Sequence, residues 1–100
     1  MRTATEVQRN AGHQLVNVNS GKCLQPQGGS TTAGTTMVQV SCADVSAQRW
    51  TLTPTFGGYV EIKNAASNLC LEVDGNSTTN GASTNQWWCN GGDNQNWLRG

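Results

Sequence analysis

The sequence predicts an all-β protein built from two copies of one four-stranded unit. When the chain is shifted by 47 residues, Cys23-Leu24 falls on Cys70-Leu71, and Gln48-Arg49-Trp50 falls on Gln95-Asn96-Trp97. No gap is needed, and 13 of the 41 positions from His13 to Thr53 are identical. Self-similarity at such a period indicates a structural unit that is used more than once. Apolar residues occur only in short runs between polar turns, which favours short strands over helices.

The length and the repeat together predict the domain organisation. One hundred residues make a single domain, which divides into an N-terminal lead at 1–12, repeat one at 13–56 and repeat two at 57–100. The lead is expected to carry one strand around residues 3–8. The eight strands expected in the repeats are 14–18, 22–25, 37–41, 49–53, 59–63, 69–73, 84–88 and 96–99. Matching glycine-containing turns at 28–34 and 75–81 separate the second and third strand of each repeat.

The four cysteines obey the same shift, and this predicts their pairing. Cys23 and Cys42 are 19 residues apart, as are Cys70 and Cys89, so repeat symmetry selects one disulfide inside each repeat. A chain this small buries little core, and each closed loop restricts the unfolded chain by roughly 3 kcal/mol. A zinc site is disfavoured because there is no Cys-x-x-Cys and only one His. We therefore expect a secreted protein with no metal and no other cofactor.

Charge and hydropathy exclude two classes of partner. Six basic residues balance six acidic ones, so the protein has no strong field to attract nucleic acid or an anionic membrane. Asn, Gln, Ser and Thr make up 38 of the 100 residues, and no apolar stretch approaches the length of a membrane span. Nucleic-acid binding and membrane insertion are not expected.

The order of the motifs resembles that of a known family. Ser20–Leu24, Asn68–Gly75 and the two Gln-x-Trp motifs look like the ricin-type (R-type) lectins, which include the family 13 carbohydrate-binding modules. The resemblance covers residues 13–100. It implies a β-trefoil, in which three such repeats surround a pseudo-threefold axis, and it implies reversible glycan recognition. Only two repeats are present here, so either the chain is part of a longer protein or chains associate to complete the barrel. A homo-trimer is the smallest assembly with threefold closure, and a dimer is the alternative.

The resemblance also implies which residues bind sugar. In the family, an acidic residue stands two positions after the first Cys of a repeat, an aromatic residue stands two before the second, and Asn-Gln precedes the motif Trp. An aromatic ring stacks on the C–H face of a sugar, while carboxylates and amides bind its hydroxyls. In repeat two these positions, together with Asn85 as a further pocket residue, are Glu72, Asn85, Trp87, Asn94 and Gln95. Glu72 differs from the more usual Asp by one methylene.

Repeat one lacks this chemistry, so binding is predicted in repeat two. The equivalent positions in repeat one are Gln25, Val40, Ala47 and Gln48. Both repeats keep Trp50 and Trp97, which are therefore expected in the core. Trp87 and Trp88 are adjacent and should face opposite sides of a strand, with Trp87 as the exposed platform and the other ring able to enter the core.

Two other functions compete with glycan binding. A carboxylate pair such as Glu72 and Asp74 could imitate a glycosidase, but a chain this small offers no deep cleft to bury an acid. His13 is the only His, and no nucleophile is marked out near it, so the protein is not expected to be an enzyme. The alternative function is a protein-binding β-trefoil such as a protease inhibitor, which would not need the clustered polar and aromatic side chains of repeat two.

Overall fold

The computed structural model describes residues 2–5 and 12–98, and these form nine antiparallel strands. Within that part of the chain, the ordered segments other than strands are 3₁₀ turns of three residues at 27–29, 46–48, 74–76 and 93–95. None of its helical segments is long and apolar enough to cross a membrane. The strands are β1 (Arg2–Thr5), β2 (His13–Val16), β3 (Cys23–Pro26), β4 (Met37–Val40), β5 (Trp50–Pro54), β6 (Tyr59–Asn64), β7 (Cys70–Val73), β8 (Thr84–Trp87) and β9 (Trp97–Leu98).

The predicted fold class is confirmed, and each of the eight repeat strands begins and ends within two residues of its predicted bounds. The strand of the N-terminal lead is β1, Arg2–Thr5. The last part of its predicted range, residues 6–8, lies outside the described residues, as does Arg99 at the end of the predicted final strand. Within the described residues β9 begins one residue later than predicted, at Trp97.

The strands form one sheet that is almost closed into a barrel. The order along the sheet is β4-β3-β2-β5-β6-β7-β8, with β1 on β2 and β9 on β6. The long β5–β6 hairpin joins the two repeats, with Trp50 opposite Asn64 and Pro54 opposite Val60. A bridge between Thr36 and Asn85 brings the two ends of the sheet order together. This contact places the turn of repeat one beside β8 of repeat two.

The core includes equivalent positions of the two repeats, among them both motif tryptophans. Trp50 is fully buried, and its Nε1 donates to the carbonyl of Leu24 at 3.2 Å. Trp97 is partly buried against the core, and its Nε1 donates to the carbonyl of Leu71 at 3.0 Å. The buried cluster consists of Leu15, Met37, Trp50, Val60, Ile62 and Leu71. Because each indole satisfies the equivalent carbonyl, the motif Trp is part of the fold in both repeats.

Both predicted disulfides are present. Cys23 is bonded to Cys42 and Cys70 to Cys89, with Cα–Cα distances of 5.0 and 5.1 Å. Each bond joins the β3–β4 or β7–β8 pair of its own repeat. The Glu61 carboxylate lies close to the second disulfide, but those sulfurs are bonded to each other and are not available as thiolate ligands for a metal.

The contact between the two repeats is centred on Gln86, which is fully buried. Its Nε2 donates to the carbonyls of Ser30 at 2.9 Å and Thr32 at 3.0 Å, while its Oε1 accepts from Ser67 Oγ at 2.7 Å. Its backbone N–H donates to the carbonyl of Thr35 at 3.1 Å, and its carbonyl accepts from the N–H of Gly34 at 2.7 Å. The side chain and the backbone of Gln86 together therefore join the turn of repeat one to β8 of repeat two.

Candidate functional site

Three of the predicted site residues lie on one face of the β7–β8 pair. Glu72 is opposite Asn85, and Cys70 is opposite Trp87. Residues opposite each other in an antiparallel pair share a face, and so do residues two apart on one strand. Glu72, Asn85 and Trp87 are therefore neighbours on the same side of the sheet, while Leu71 points to the core.

The Glu72 carboxylate is held from beneath by Gln95. Gln95 is 1% exposed, and its Nε2 donates to Glu72 Oε1 at 3.1 Å and to the carbonyl of Trp88 at 2.9 Å. Its Oε1 accepts from the N–H of Asn90 at 2.9 Å. Both amide hydrogens are used within the protein, so the geometry favours Gln95 as a residue that positions Glu72 rather than as a surface group.

The side-chain amide of Asn85 is unusual because one of its two polar atoms has no hydrogen-bond partner among the described residues. Its side chain is 5% exposed, and its Nδ2 donates to Asp74 Oδ1 at 3.1 Å. Its Oδ1 is buried and has no hydrogen-bond partner in the described part of the chain. An unpaired buried acceptor costs about 1–3 kcal/mol, so such an atom calls for an explanation. A ligand that donates a hydrogen bond would supply the missing partner.

Of the two adjacent tryptophans, Trp87 is exposed as predicted, whereas Trp88 does not enter the core. Neither ring is part of the core: Trp87 is 40% exposed and Trp88 is 64% exposed. β8 ends at Trp87, so the chain has already left the sheet at Trp88 and nothing directs that ring inward. Trp87 shares the face of Glu72 and Asn85, whereas Trp88 contributes its carbonyl to the hydrogen bond from Gln95.

Asn94 stands at the edge of the same region. It lies in the 3₁₀ turn at 93–95 and is half-buried, and its Nδ2 donates to the carbonyl of Val73 at 3.0 Å. This hydrogen bond fixes Asn94 beside Val73, the last residue of β7, which follows Glu72 in that strand. The fold thus brings the five predicted residues to the β7–β8 pair: three on a common face, Gln95 bonded to Glu72 and Asn94 bonded to Val73 at the end of β7.

The sequence pattern marked Asp74 only as one of a possible carboxylate pair and not as a sugar-site residue. In the structure Asp74 opens the 3₁₀ turn at 74–76. Its carboxylate also binds the Asn85 amide and so determines that Oδ1 is the unpaired atom. The strand register indicates this contact. Asp74 stands two residues after Glu72, and because Glu72 is opposite Asn85, Asp74 is a diagonal neighbour of Asn85.

The equivalent region of repeat one keeps the support and lacks the site. Gln48 accepts from the N–H of Ala43 at 2.7 Å and donates to the carbonyl of Ser41 at 3.2 Å and to Gln25 Oε1 at 2.9 Å. These are the contacts that Gln95 makes, with Gln25 in the place of Glu72. Val38 and Val40 occupy the positions of Asn85 and Trp87.

Comparisons with known proteins agree with this architecture. The family model described as ricin-type beta-trefoil lectin domain-like matches residues 3–87 and again residues 46–99. A comparison with curated proteins gives no match. The chain is similar to the designed 3-fold symmetric protein ThreeFoil, with 32% identity and a TM-score of 0.87 over 93% of this chain. It spans 66% of the length of that protein.

Two natural structures are also similar. An exo-beta-1,3-galactanase from Clostridium thermocellum has 30% identity and a TM-score of 0.85, over 92% of this chain and 20% of the enzyme. The Haemophilus ducreyi cytolethal distending toxin has 24% identity and a TM-score of 0.77, over 97% of this chain and 57% of that one, and supports the fold alone. The family model covers nearly the whole chain, and the duplicated Gln-x-Trp framework is the one seen in the structure. This protein therefore belongs to the ricin-type β-trefoil lectin domain-like family.

Proposed function

We propose that this protein is a secreted glycan-binding domain that recognises sugar reversibly through repeat two and carries out no reaction. The observation that carries the proposal is the buried, unpaired Oδ1 of Asn85 beside the carboxylate of Glu72 and the exposed ring of Trp87. A sugar offers a hydroxyl to the first, paired hydroxyls to the second and a C–H face to the third. Asp74 holds Asn85 and Gln95 holds Glu72 before any ligand arrives, which lowers the cost of ordering these two groups.

Family membership and one structural relative support the same function. Ricin-type lectin-like domains are a carbohydrate-binding class, and the matched galactanase acts on a β-1,3-galactan. The two disulfides support a secreted protein, because such bonds persist in oxidising compartments. Galactose and β-1,3-linked galactobiose are therefore the first ligands to try, alongside a broad glycan array.

The proposal is tested by a glycan array followed by calorimetric titration of the best ligand. We expect one sugar bound per chain, since only repeat two has the carboxylate, the amide and the ring. A dissociation constant near ~1 mM, about −4 kcal/mol, is expected for a single shallow site. Two sugars per chain would contradict the restriction to repeat two. An empty array combined with inhibition of a protease would favour the protein-binding alternative.

We further propose that the chain self-associates. In the assembly, Gln39 of one chain binds the turn at 75–81 of another chain, as Gln86 binds the turn at 28–34 within a chain. Gln39 is the equivalent of Gln86: it is exposed, and its Oε1 accepts from Ser20 Oγ at 2.8 Å. Its Nε2 donates to no described residue. The turn that would reach it already has the required shape, because Thr79 N–H donates to Ser77 Oγ at 3.1 Å, as Thr32 N–H does to Ser30 Oγ at 3.0 Å.

The number of chains follows from geometry. A β-trefoil barrel takes three repeats. One chain supplies two of them, and two chains supply four, which is one more than a single barrel can use. Three chains supply six repeats for two barrels if one chain places its repeats in different barrels. The exposed apolar side chains Phe56, Tyr59 and Leu98 support association, since such groups are liabilities in a soluble protein.

Light scattering tests the association. We expect a particle of three times the 10.6 kDa chain mass, with a dimer as the alternative, and we expect Gln39→Ala to shift it toward monomers. Linked sites would raise avidity by roughly 10² or more without new contacts. A stable, sugar-binding monomer at micromolar concentration would contradict the proposal.

A further inference from the structure

The face that carries Glu72, Asn85 and Trp87 on β7 and β8 is continued by a third chain segment, residues 34–36, which comes from repeat one. Residues 34–36 lie along the outer edge of β8. The N–H of Gly34 donates to the carbonyl of Gln86 at 2.7 Å, and the N–H of Gln86 donates to the carbonyl of Thr35 at 3.1 Å. Thr36 is then directly opposite Asn85. The site is therefore continuous with a surface that the sequence repeat assigns to the other half of the molecule.

This arrangement puts three polar side chains in a row across the strands. Glu72 is opposite Asn85, and Asn85 is opposite Thr36, so all three side chains share one face. Thr36 is exposed, and its hydroxyl makes no hydrogen bond within residues 12–98. The Gln86–Thr35 hydrogen bond flanks the Thr36–Asn85 pair, and in such non-hydrogen-bonded pairs the side chains lie closest together.

Gly34 leaves the neighbouring part of the face open. It has a φ of 90°, and a Cβ atom at this position would lie 3.6 Å from Cζ3 of Trp87. Because residue 34 is a glycine, it places no side chain against this edge of the ring. The row from Glu72 to Thr36 extends over two strand spacings, about 10 Å, which is longer than one sugar ring.

We propose that Thr36 is a specificity-determining residue of the repeat-two site and that the site reads an oligosaccharide of at least two sugar units. This inference rests on the proposed glycan-binding function. The first unit stacks on Trp87 and bonds to Glu72 and Asn85. The second unit extends over Gly34 and exchanges a hydrogen bond with the Thr36 hydroxyl. Recognition of a chain of sugars then depends on the contact between the two repeats, although repeat one has no site of its own.

The test compares Thr36→Val with Ser83→Ala in the full chain. Thr36→Val removes the hydroxyl and keeps a branched side chain that suits an extended backbone. Ser83 is the equivalent of Thr36 in repeat two, so Ser83→Ala removes a matched hydroxyl; along the chain it lies before Asn85, on the side away from Trp87, whereas the second sugar unit would extend over Gly34 near that ring. The ligands are the monosaccharide and the disaccharide that bind best on the array, beginning with galactose and β-1,3-galactobiose, and Trp87→Ala reports on the first unit.

We expect Thr36→Val to weaken disaccharide binding about three- to tenfold, the scale of one neutral hydrogen bond, and to leave monosaccharide binding unchanged. Ser83→Ala should change neither. If Trp87→Ala abolishes binding while Thr36→Val has no effect on either ligand, the two-repeat site is refuted and the proposed function stands. If wild-type protein binds and neither Trp87→Ala nor Thr36→Val weakens it, both are refuted. If Thr36→Val weakens binding of the monosaccharide and of the disaccharide equally, Thr36 contacts the first sugar unit, and its proposed role in binding a second unit is refuted.

Discussion

Gln48 and Gln95 make the same three hydrogen bonds in the two repeats, yet one supports an amide and the other a carboxylate. In repeat one the acceptor is Gln25, and in repeat two it is Glu72. The backbone contacts of the two glutamines match, as do the indole hydrogen bonds of Trp50 and Trp97. The framework of the repeat is therefore independent of whether its outer face carries a binding site.

The difference lies in side chains that the framework does not need. Val38 and Val40 stand where repeat two has Asn85 and Trp87, and the strands β4 and β8 are equally regular. A residue on the outer face of a hairpin contributes little to the core, so it can change without loss of the fold. Asn85 adds a second difference, because its buried oxygen has no partner among the described residues and is left for a ligand or a water to satisfy.

The largest effect is expected from the ring. Trp87→Ala should abolish measurable glycan binding, because a weak site loses the whole stacking surface, and should leave the fold nearly intact because Val40 already stands at the equivalent position. Calorimetric titration measures the binding, and circular dichroism measures the fold. Val40→Ala and Trp88→Ala are the controls, and neither should affect binding. Unfolding of Trp87→Ala together with lost binding in Val40→Ala would move the site to repeat one.

The equivalent glutamines Gln86 and Gln39 should differ in what they contribute to stability, because only Gln86 makes the repeat–repeat contact. Gln86→Ala should lower the free energy of unfolding by about 2–4 kcal/mol, because the carbonyls of Ser30 and Thr32 lose their buried donor. Gln39→Ala should cost less than about 0.5 kcal/mol, as is usual for an exposed side chain. Both are measured by chemical denaturation at low protein concentration, where association does not contribute. Equal losses of unfolding free energy in Gln86→Ala and Gln39→Ala would mean that the hydrogen bonds of Gln86 do not stabilise the packing of the two repeats.

The carboxylate should matter to the ligand more than to the fold. Glu72→Ala should weaken binding by about 1.5–3 kcal/mol, the scale of charge-assisted hydrogen bonds, whereas Gln25→Ala should leave binding unchanged. Glu72→Gln reproduces the chemistry of repeat one. It should retain the hydrogen bond from Gln95 and the thermal stability but still bind more weakly than the wild type. Wild-type affinity in Glu72→Gln would argue that the charge plays no part.

The smallest effect concerns the residue that orients Asn85. Asp74→Ala should weaken binding by roughly 1 kcal/mol, since the Asn85 amide loses the acceptor that holds it. Asp74→Asn should restore much of the affinity, because its side-chain oxygen can still accept from Nδ2. Gln27→Ala, at the equivalent position of repeat one, should have no effect. A loss in Asp74→Ala that Asp74→Asn does not recover would indicate a direct role of the carboxylate.

The sequence by itself determined the repeat, the strands, the disulfide pairing and the structural role of the motif tryptophans. All of these follow from a shift of 47 residues, since equivalent residues in a repeated unit must satisfy the same backbone and core. The candidate site residues came from the resemblance to the ricin-type lectins, whose pattern could be carried onto this sequence because those positions stand at fixed distances from the cysteines and the motif Trp.

Only the tertiary structure decided how those residues relate to one another. It showed Gln95 beneath Glu72, both Trp87 and Trp88 outside the core, and Asp74 holding Asn85 so that one oxygen is left unpaired. It also brought Thr36 and Gly34 of repeat one beside β8. Periodicity reports which side of a strand a residue takes. It does not report which strand of the other repeat lies alongside, because that neighbour is chosen by closure of the barrel and by the contacts of a single buried glutamine, Gln86.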